Sequence, residues 1–476
     1  MAPPRFGRYC LPSILCISVL FIAACGGGSM QTTTTTSGTP AEWVWMSGSN
    51  TVEASGVYGT LGVAAADNVP GARYFSVSWT DRSGNFWLFG GATGILTVSV
   101  WNDLWEYNPT TNEWTWMGGS TTANASGSYG TLGVPSASNF PGGRLDAVSW
   151  TDSSGNFWLF GGDGIDSNGN FDSLNDLWEF DPTTKQWTWM SGSDTANATA
   201  VYGTIGVAAA GNVPGPRIQA VSWTDASGNL WLFGGCEELY GPNDYNYLND
   251  LWEFNPTTKE WTWVGGSDTP NASGSYGTLG VAAAGNVPGA RTSAVSWTDG
   301  SGNFSLFGGV LLTPSSASEW NDLWEFNPAT KEWTWMSGSN TANATAAYGM
   351  LGVAATGNVP GARCSPTSWI DSSGNLWLFG GFGYDSTEPT NLNDLWEFNP
   401  TTKEWVWMSG SNMGTAVGNY GMMGVPSASN FPGSRGDAVG WIDSSNNLWL
   451  FGGFGFDTNG EGAELNDLWR WQPAQP

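Results

Sequence analysis

Histidine is absent from all 476 residues. That excludes Ser-His and Cys-His nucleophile pairs and any imidazole-ligated zinc, copper or iron centre. Basic residues are scarce too: 14 Lys and Arg stand against 41 Asp and Glu, for a formal net charge of -27. An acidic surface of this kind repels phosphate backbones, so nucleic acid is not expected as a partner. Of the five cysteines, only Cys236 and Cys364 fall beyond residue 25. They sit at unrelated places in different repeats, so no disulfide is expected between them. Helical periodicity is also missing from every window. What is abundant is tryptophan, 32 residues, and it recurs at a fixed interval.

The first glycine of a recurrent pair falls at Gly90, Gly161, Gly234, Gly308, Gly380 and Gly452, in steps of 71, 73, 74, 72 and 72. Each unit reads W-L-F-G-G or close to it, a variable run, N-D-L-W, about five turn residues and W-x-W. The last copy reaches Asn466 to Trp471 and the chain ends at Pro476 without a W-x-W. That segment stands instead at residues 42–46, Glu-Trp-Val-Trp-Met. A linear array has no use for such an exchange, whereas a ring uses it to close.

Within a unit, four short runs have strand chemistry. In the second they are Ala147–Trp150, Asn156–Phe160, Asp176–Phe180 and Gln186–Trp189. They are aromatic and β-branched and are bounded by Gly, Pro, Asn, Asp and Ser. Asp152 to Asn156 places Gly155 where a type I turn followed by a left-handed residue needs it, and Asn446 takes that place in the sixth copy. Asp181 to Lys185 supplies a second hairpin, with Pro182 fixing φ. Six four-stranded meanders packed face to face around an axis bury their faces and protect their edges. The expected fold is an all-β, six-bladed propeller whose last blade takes its outer strand from residues 42–46.

The paired glycines behind an aromatic-aliphatic run, with an aromatic and then Trp seven residues on (Tyr107 to Trp114, Phe180 to Trp187, Phe254 to Trp261, Phe326 to Trp333, Phe398 to Trp405), resemble kelch repeats over residues 41–476. Ser305 replaces the second-strand Trp of the fourth copy, and Trp471 stands where Tyr or Phe is usual. Some kelch-like propellers are copper-radical oxidases; their copper site draws on histidines, so that activity is not carried over.

Residues 1–24 resemble a lipoprotein signal peptide. Arg5 and Arg8 precede an apolar stretch from Leu11 to Ala24 that is short for a membrane span, and Ile22-Ala23-Ala24-Cys25 resembles a bacterial lipobox. The resemblance implies cleavage before Cys25 and its lipidation; an ordinary secretory signal is the alternative. Residues 25–40 then read as a Gly/Ser/Thr tether. Gly26, not Asp, follows the cysteine, which favours the outer membrane of a bacterial envelope, facing the periplasm or the surface. The head at 41–476 is expected to be monomeric.

Candidate site residues divide into repeated and individual ones. Arg73, Arg144, Arg217, Arg291, Arg363 and Arg435 recur just before the innermost strand. They form either a ring that binds carboxylates, sulfates or an acidic peptide, or structural partners of the N-D-L-W aspartates, and sixfold identity favours the second. Tyr58, Tyr129, Tyr202, Tyr276, Tyr348 and Tyr420 recur in a connection that spans 28 positions from the last strand Trp to the Arg in every copy, as from Trp189 to Arg217. A connection so constant is expected to be ordered, with the tyrosine as its anchor.

Twenty-nine tryptophans occupy recurrent strand positions and read as packing residues. Trp101 and Trp320, just before N-D-L-W, are better placed as a ligand platform. Length varies in the connection between strands two and three, which emerges on the same face as the 28-position connection, and variable loops on a rigid frame gather binding residues. There the candidates are Glu237, Tyr240, Asp244, Tyr245 and Tyr247, with Tyr384 and Asp385; Asp166 and Asp172 alternate with Asn168 and Asn170 as oxygen ligands do, although Gly169 is displaced from its calcium-loop place. No cofactor is expected, Ca2+ being the one candidate. Four sequons, at Asn124, Asn197, Asn271 and Asn343, read as turn composition.

The expected function is a membrane-anchored module that binds a glycan or a protein through the loop face, with no catalytic residue assigned. The alternative is a carbohydrate-active enzyme similar to sialic-acid mutarotases, whose chemistry runs on carboxylate and arginine. Such an enzyme needs unique axial residues, and the axial strand shows small changes only, at Gln219, Ser365 and Gly440.

Overall fold

The computed structural model describes residues 41–238, 245–313 and 316–473. They form six antiparallel blades around one axis, with no helix among the described residues. Blade II shows the plan: Val148–Thr151 is innermost, followed outward by Phe157–Ile165, Phe171–Asp181 and Gln186–Ser191. Gly155 and Asn446 both take positive φ at 85° and 61°, as the inner hairpin requires. In the outer hairpin, Asp181 Oδ1 accepts the Thr183 N–H and Lys185 takes φ 57°.

Blade VI closes as the displaced segment requires. Glu42–Ser47 pairs antiparallel with Gly462–Gln472, Trp43 opposite Trp471 and Trp45 opposite Trp469. Trp43 is buried against Trp469, Trp471 and Phe379, the last from blade V.

The core lies between blades. Trp79 of blade I stacks on Phe157 of blade II, centroids 5.3 Å apart, and donates its indole N–H to the Trp158 carbonyl. Trp441 of blade VI repeats this across the seam on Phe86 of blade I, at 5.3 Å. An aromatic pair of this kind adds about 0.5–1.5 kcal/mol beyond area burial, and the six-fold aromatic interleaving is why so many tryptophans sit at recurrent positions.

The 28-position connection is a structural element. On leaving blade I it runs along the outer strand of blade II, where Gly133 N–H bonds the Trp189 carbonyl at 2.7 Å and Asn139 Nδ2 the Trp187 carbonyl at 3.1 Å. The same clasp covers Glu42–Ser47: Gly424 N–H bonds the Trp45 carbonyl and Asn430 Nδ2 the Trp43 carbonyl. Each outer strand is thereby relieved of an open edge.

The glycine pair has a specific task. Gly90 and Gly91 have φ of 68° and 94°, and a Cβ on Gly90 would lie 2.8 Å from the Arg144 carbonyl of the next blade. Gly91 N–H donates to that same carbonyl at 2.9 Å, so the pair forms an inter-blade joint.

Candidate functional site

Each repeat arginine lies inside its own blade. Arg73 grips Asp103 with both terminal nitrogens, at 2.7 and 2.8 Å, and Nη1 also donates to the Gly90 carbonyl. The same pairs are Arg144–Asp176, Arg217–Asp250, Arg291–Asp322, Arg363–Asp394 and Arg435–Asp467, all at 2.6–2.7 Å and all buried. The second aspartate oxygen takes two more donors, the tyrosine hydroxyl of the incoming connection and the N-D-L-W indole. In blade II these are Tyr129 and Trp178, both at 2.7 Å.

Four donors on two oxygens compensate the buried carboxylate. Burial by itself would lower the Arg144 guanidinium; Asp176 reverses that and raises it. The Tyr129 phenol is raised by burial and then by Asp176. The arginines are turned inward to aspartate and carbonyl.

The individual residues spread over three places on the loop face. Between blades VI and I, a cleft of about 570 Å³ is lined by Glu53, Tyr58, Thr93, Trp101, Thr121 and Glu464, among others. Trp101 is half-buried, with the Arg73 guanidinium carbon 5.7 Å from its ring centroid. Glu464 is buried and accepts the Gly94 N–H, while Glu53 is exposed and donates its N–H to the Glu464 carbonyl.

At the blade IV/V boundary, Trp320 lies against Arg291 at 5.5 Å. The neighbouring Glu319 is buried with Oε2 lacking a hydrogen-bond partner, and burial pushes it up to about 8 against a partly opposing Arg363. The Tyr384 phenol is raised by burial and by Glu319. In blade III, Glu237 and Tyr245 are half-buried, Tyr247 is buried, and the two tyrosine rings lie 6.1 Å apart. Glu237 is raised by burial, opposed by Arg217. Tyr240 and Asp244 lie outside the described residues, as do Cys25 and the tether.

The oxygen-rich loop is ordered by hydrogen bonds to its own aspartates. Asp166 Oδ1 accepts the Asn168 and Asn170 N–H groups at 2.8 Å, and Oδ2 takes the Asn170 amide and the Ala196 N–H. Burial would raise the Asp166 carboxyl, and these donors lower it instead. Asp172 receives Asn197 Nδ2 and Ser173 N–H. Asp385 accepts from Thr387, Glu388 and Gly414 in the same manner. The sequon asparagines also bond neighbouring strands: Asn124 Oδ1 accepts the Val100 N–H and Asn343 Oδ1 the Glu319 N–H.

Sequence reasoning caught only part of the axis, Gln219 and Ser365. Two residues beyond each arginine stand Phe75, Asp146, Gln219, Ser293, Ser365 and Asp437, all non-glycine and all left-handed, with φ between 53° and 59°. Each N–H donates to the carbonyl of the equivalent residue in the preceding blade: Asp146 to Phe75, Gln219 to Asp146, Ser293 to Gln219, Ser365 to Ser293, Asp437 to Ser365 and Phe75 to Asp437, at 2.9–3.1 Å. Six main-chain hydrogen bonds thus close into a ring around the axis. Its side chains differ from blade to blade, acidic in II and VI, amide or hydroxyl in III, IV and V. Axial variation is therefore larger than Gln219, Ser365 and Gly440 alone imply. The available signal was a fixed repeat position with changing chemistry, F, D, Q, S, S, D. Glu53, Glu319 and Glu464 are comparable departures; Glu53 occupies the place of Asn124 and its equivalents.

No protein-family model matches this chain.

Proposed function

We propose that this protein is a membrane-anchored, kelch-type binding module of the bacterial cell envelope that recognises a glycan or protein ligand through its loop face. The observation that supports this most directly is the VI/I cleft. It joins a half-buried indole to carboxylate, hydroxyl and phenol groups, the mixture of stacking surface and polar groups that small-ligand and sugar sites use. The lipid at Cys25 and the tether to residue 40 belong to this reading and hold the head to the membrane at its closing strand.

A glycan and peptide array probed with the purified protein tests it. Binding that is lost in Trp101→Ala and kept in Asp166→Asn supports the cleft. An unchanged binding pattern in Trp101→Ala would remove it. A second reading, a carbohydrate-active enzyme, gains weight from the unequal axial ring, since a single substrate needs unequal groups around it. Turnover of a sugar substrate that disappears in Asp437→Asn would favour that reading over the first.

A further inference from the structure

The axial ring holds two carboxyl groups, Asp146 and Asp437, with no positive charge to meet them. Asp146 is 6% exposed. Asp146 Oδ2 and Asp437 Oδ1 are both buried without a hydrogen-bond partner. The charges acting on Asp146 are Asp437 and Asp163, both acidic, and each of the six repeat arginines is already paired with its own blade's aspartate. A buried carboxylate oxygen left unpaired is costly unless something is there to receive it. The residues that place these groups are held in left-handed backbone in all six blades, a conformation that L side chains adopt at some cost and that gathers at ligand sites.

The neighbouring ring groups complete the arrangement. Gln219 Oε1 is occupied, accepting from Thr292 Oγ1 at 3.1 Å and Ser293 Oγ at 2.5 Å. Ser365 hydrogen-bonds the Asp437 carboxyl, and the Gln219 amide lies beside Asp146. With their protons directed at Gln219 and Asp437, the hydroxyl oxygens of Ser293 and Ser365 keep lone pairs for another partner. Gln219 Nε2, itself buried without a hydrogen-bond partner, is no ligand for a cation, and the other side-chain polar atoms of the ring are oxygens.

We propose that this ring binds a divalent cation on the propeller axis, Ca2+ by its chemistry, with Asp146 and Asp437 as charged ligands and the Ser293 and Ser365 hydroxyls as neutral ones. Two carboxylates balance the charge of the ion. Oxygen ligands contributed by separate blades suit Ca2+, which accepts variable geometry, over Mg2+, which demands an octahedron, and over metals that prefer nitrogen or sulfur. Among the described residues no three Asp, Glu or Cys side chains form a metal-binding group. With only two carboxylates the affinity belongs in the weak range of extracellular calcium modules, roughly 10⁻⁴ to 10⁻³ M. This site is separate from the Asp166 loop, whose carboxylate is occupied by its own turn.

Titration calorimetry and thermal melting of the purified protein with CaCl2, against MgCl2 and NaCl at matched ionic strength, test the assignment. CaCl2 is expected to bind with about one-to-one stoichiometry and to raise the Tm. Asp146→Asn and Asp437→Asn should each weaken binding at least tenfold, and the double variant should abolish it, while Asp166→Asn leaves it unchanged. Asn keeps the side-chain shape and removes the repulsion, so these variants should melt no lower than wild type without calcium, and that measurement establishes that they are folded. Absence of any Ca2+ effect, an effect that survives in the folded double variant, an equal response to MgCl2, or loss in Asp166→Asn alone would each overturn the proposal.

Discussion

The six Arg–Asp–Tyr–Trp clusters and the axial ring sit a few residues apart in every repeat, yet they follow opposite rules. The clusters are the same in all blades, the ion pair holding 2.6–2.7 Å throughout. The ring keeps its main chain identical and lets its side chains differ. In the clusters, side-chain chemistry is the joint: Asp250 holds Arg217, Tyr202 and Trp252 at once. In the ring, main-chain amides and carbonyls form the joint, which leaves the side chains free to specialise. Identity among repeats therefore marks structural work here, and individuality marks the candidate site.

The largest expected effect falls on the frame. Deleting residues 41–47 removes the outer strand of blade VI, uncovers Trp469 and Trp471, and strips the clasp of Gly424 and Asn430. Loss of the buried Trp43 side chain by itself is worth about 3–5 kcal/mol, so the truncated head should lose cooperative unfolding or melt far below the full one by circular dichroism. Coincident melting curves would refute closure.

Next comes Asp250→Ala, which leaves the Arg217 guanidinium buried without its counter-ion at a cost of about 3–5 kcal/mol. Asp394→Ala should cost a similar amount in urea titration. If one of these blades tolerated the change, the clusters would not be equivalent and the contrast with the ring would fail.

The smallest effect should have the opposite sign. Burial pushes Asp437 up to about 7, so the folded state holds this proton more tightly than the unfolded chain does. Its contribution to stability is full below the unfolded value of 3.8 and is lost as pH rises through about 7. Asp437→Asn, a permanent mimic of the protonated form, should match wild type near pH 4 and exceed it at pH 8 in metal-free buffer. A variant that is less stable at pH 8 would break the assignment; Asp146, raised by burial and by Asp437 and Asp163, should behave alike.

Much of the frame was legible in the sequence, because its determinants are short-range or periodic. Gly155 in a turn, the Trp-x-Trp pattern and the displaced Glu42 to Met46 can be read from spacing. The Arg73–Asp103 pair was also within reach, since both residues recur at fixed offsets. The candidate site was less legible for two physical reasons. Glu464 and the Gly94 amide it meets are 370 positions apart and come together only because the ring closes. The left-handed backbone at Asp146 or Asp437 is imposed by the axial hydrogen bonds and leaves no mark on local composition. The bonds that Asp166 accepts from Asn168 and Asn170 lie within one turn and follow from its Asp-x-Asn-x-Asn spacing.

The seam between Glu42–Ser47 and Gly462–Gln472 also sets an order of events. Ser49 N–H reaches Asn466 Oδ1 across 417 positions of chain, so among the described strands Glu42–Ser47 is made long before the partner it pairs with, Gly462–Gln472. Blades II to V can assemble from contacts within one or two repeats, whereas blade VI needs both ends of the chain at once. A loop of that length adds only slowly to the entropic cost of closure but delays the contact. Ring closure should therefore be the final and slowest step of folding, and until it occurs the aromatic face of Gly462–Gln472 is the surface most exposed to misassociation.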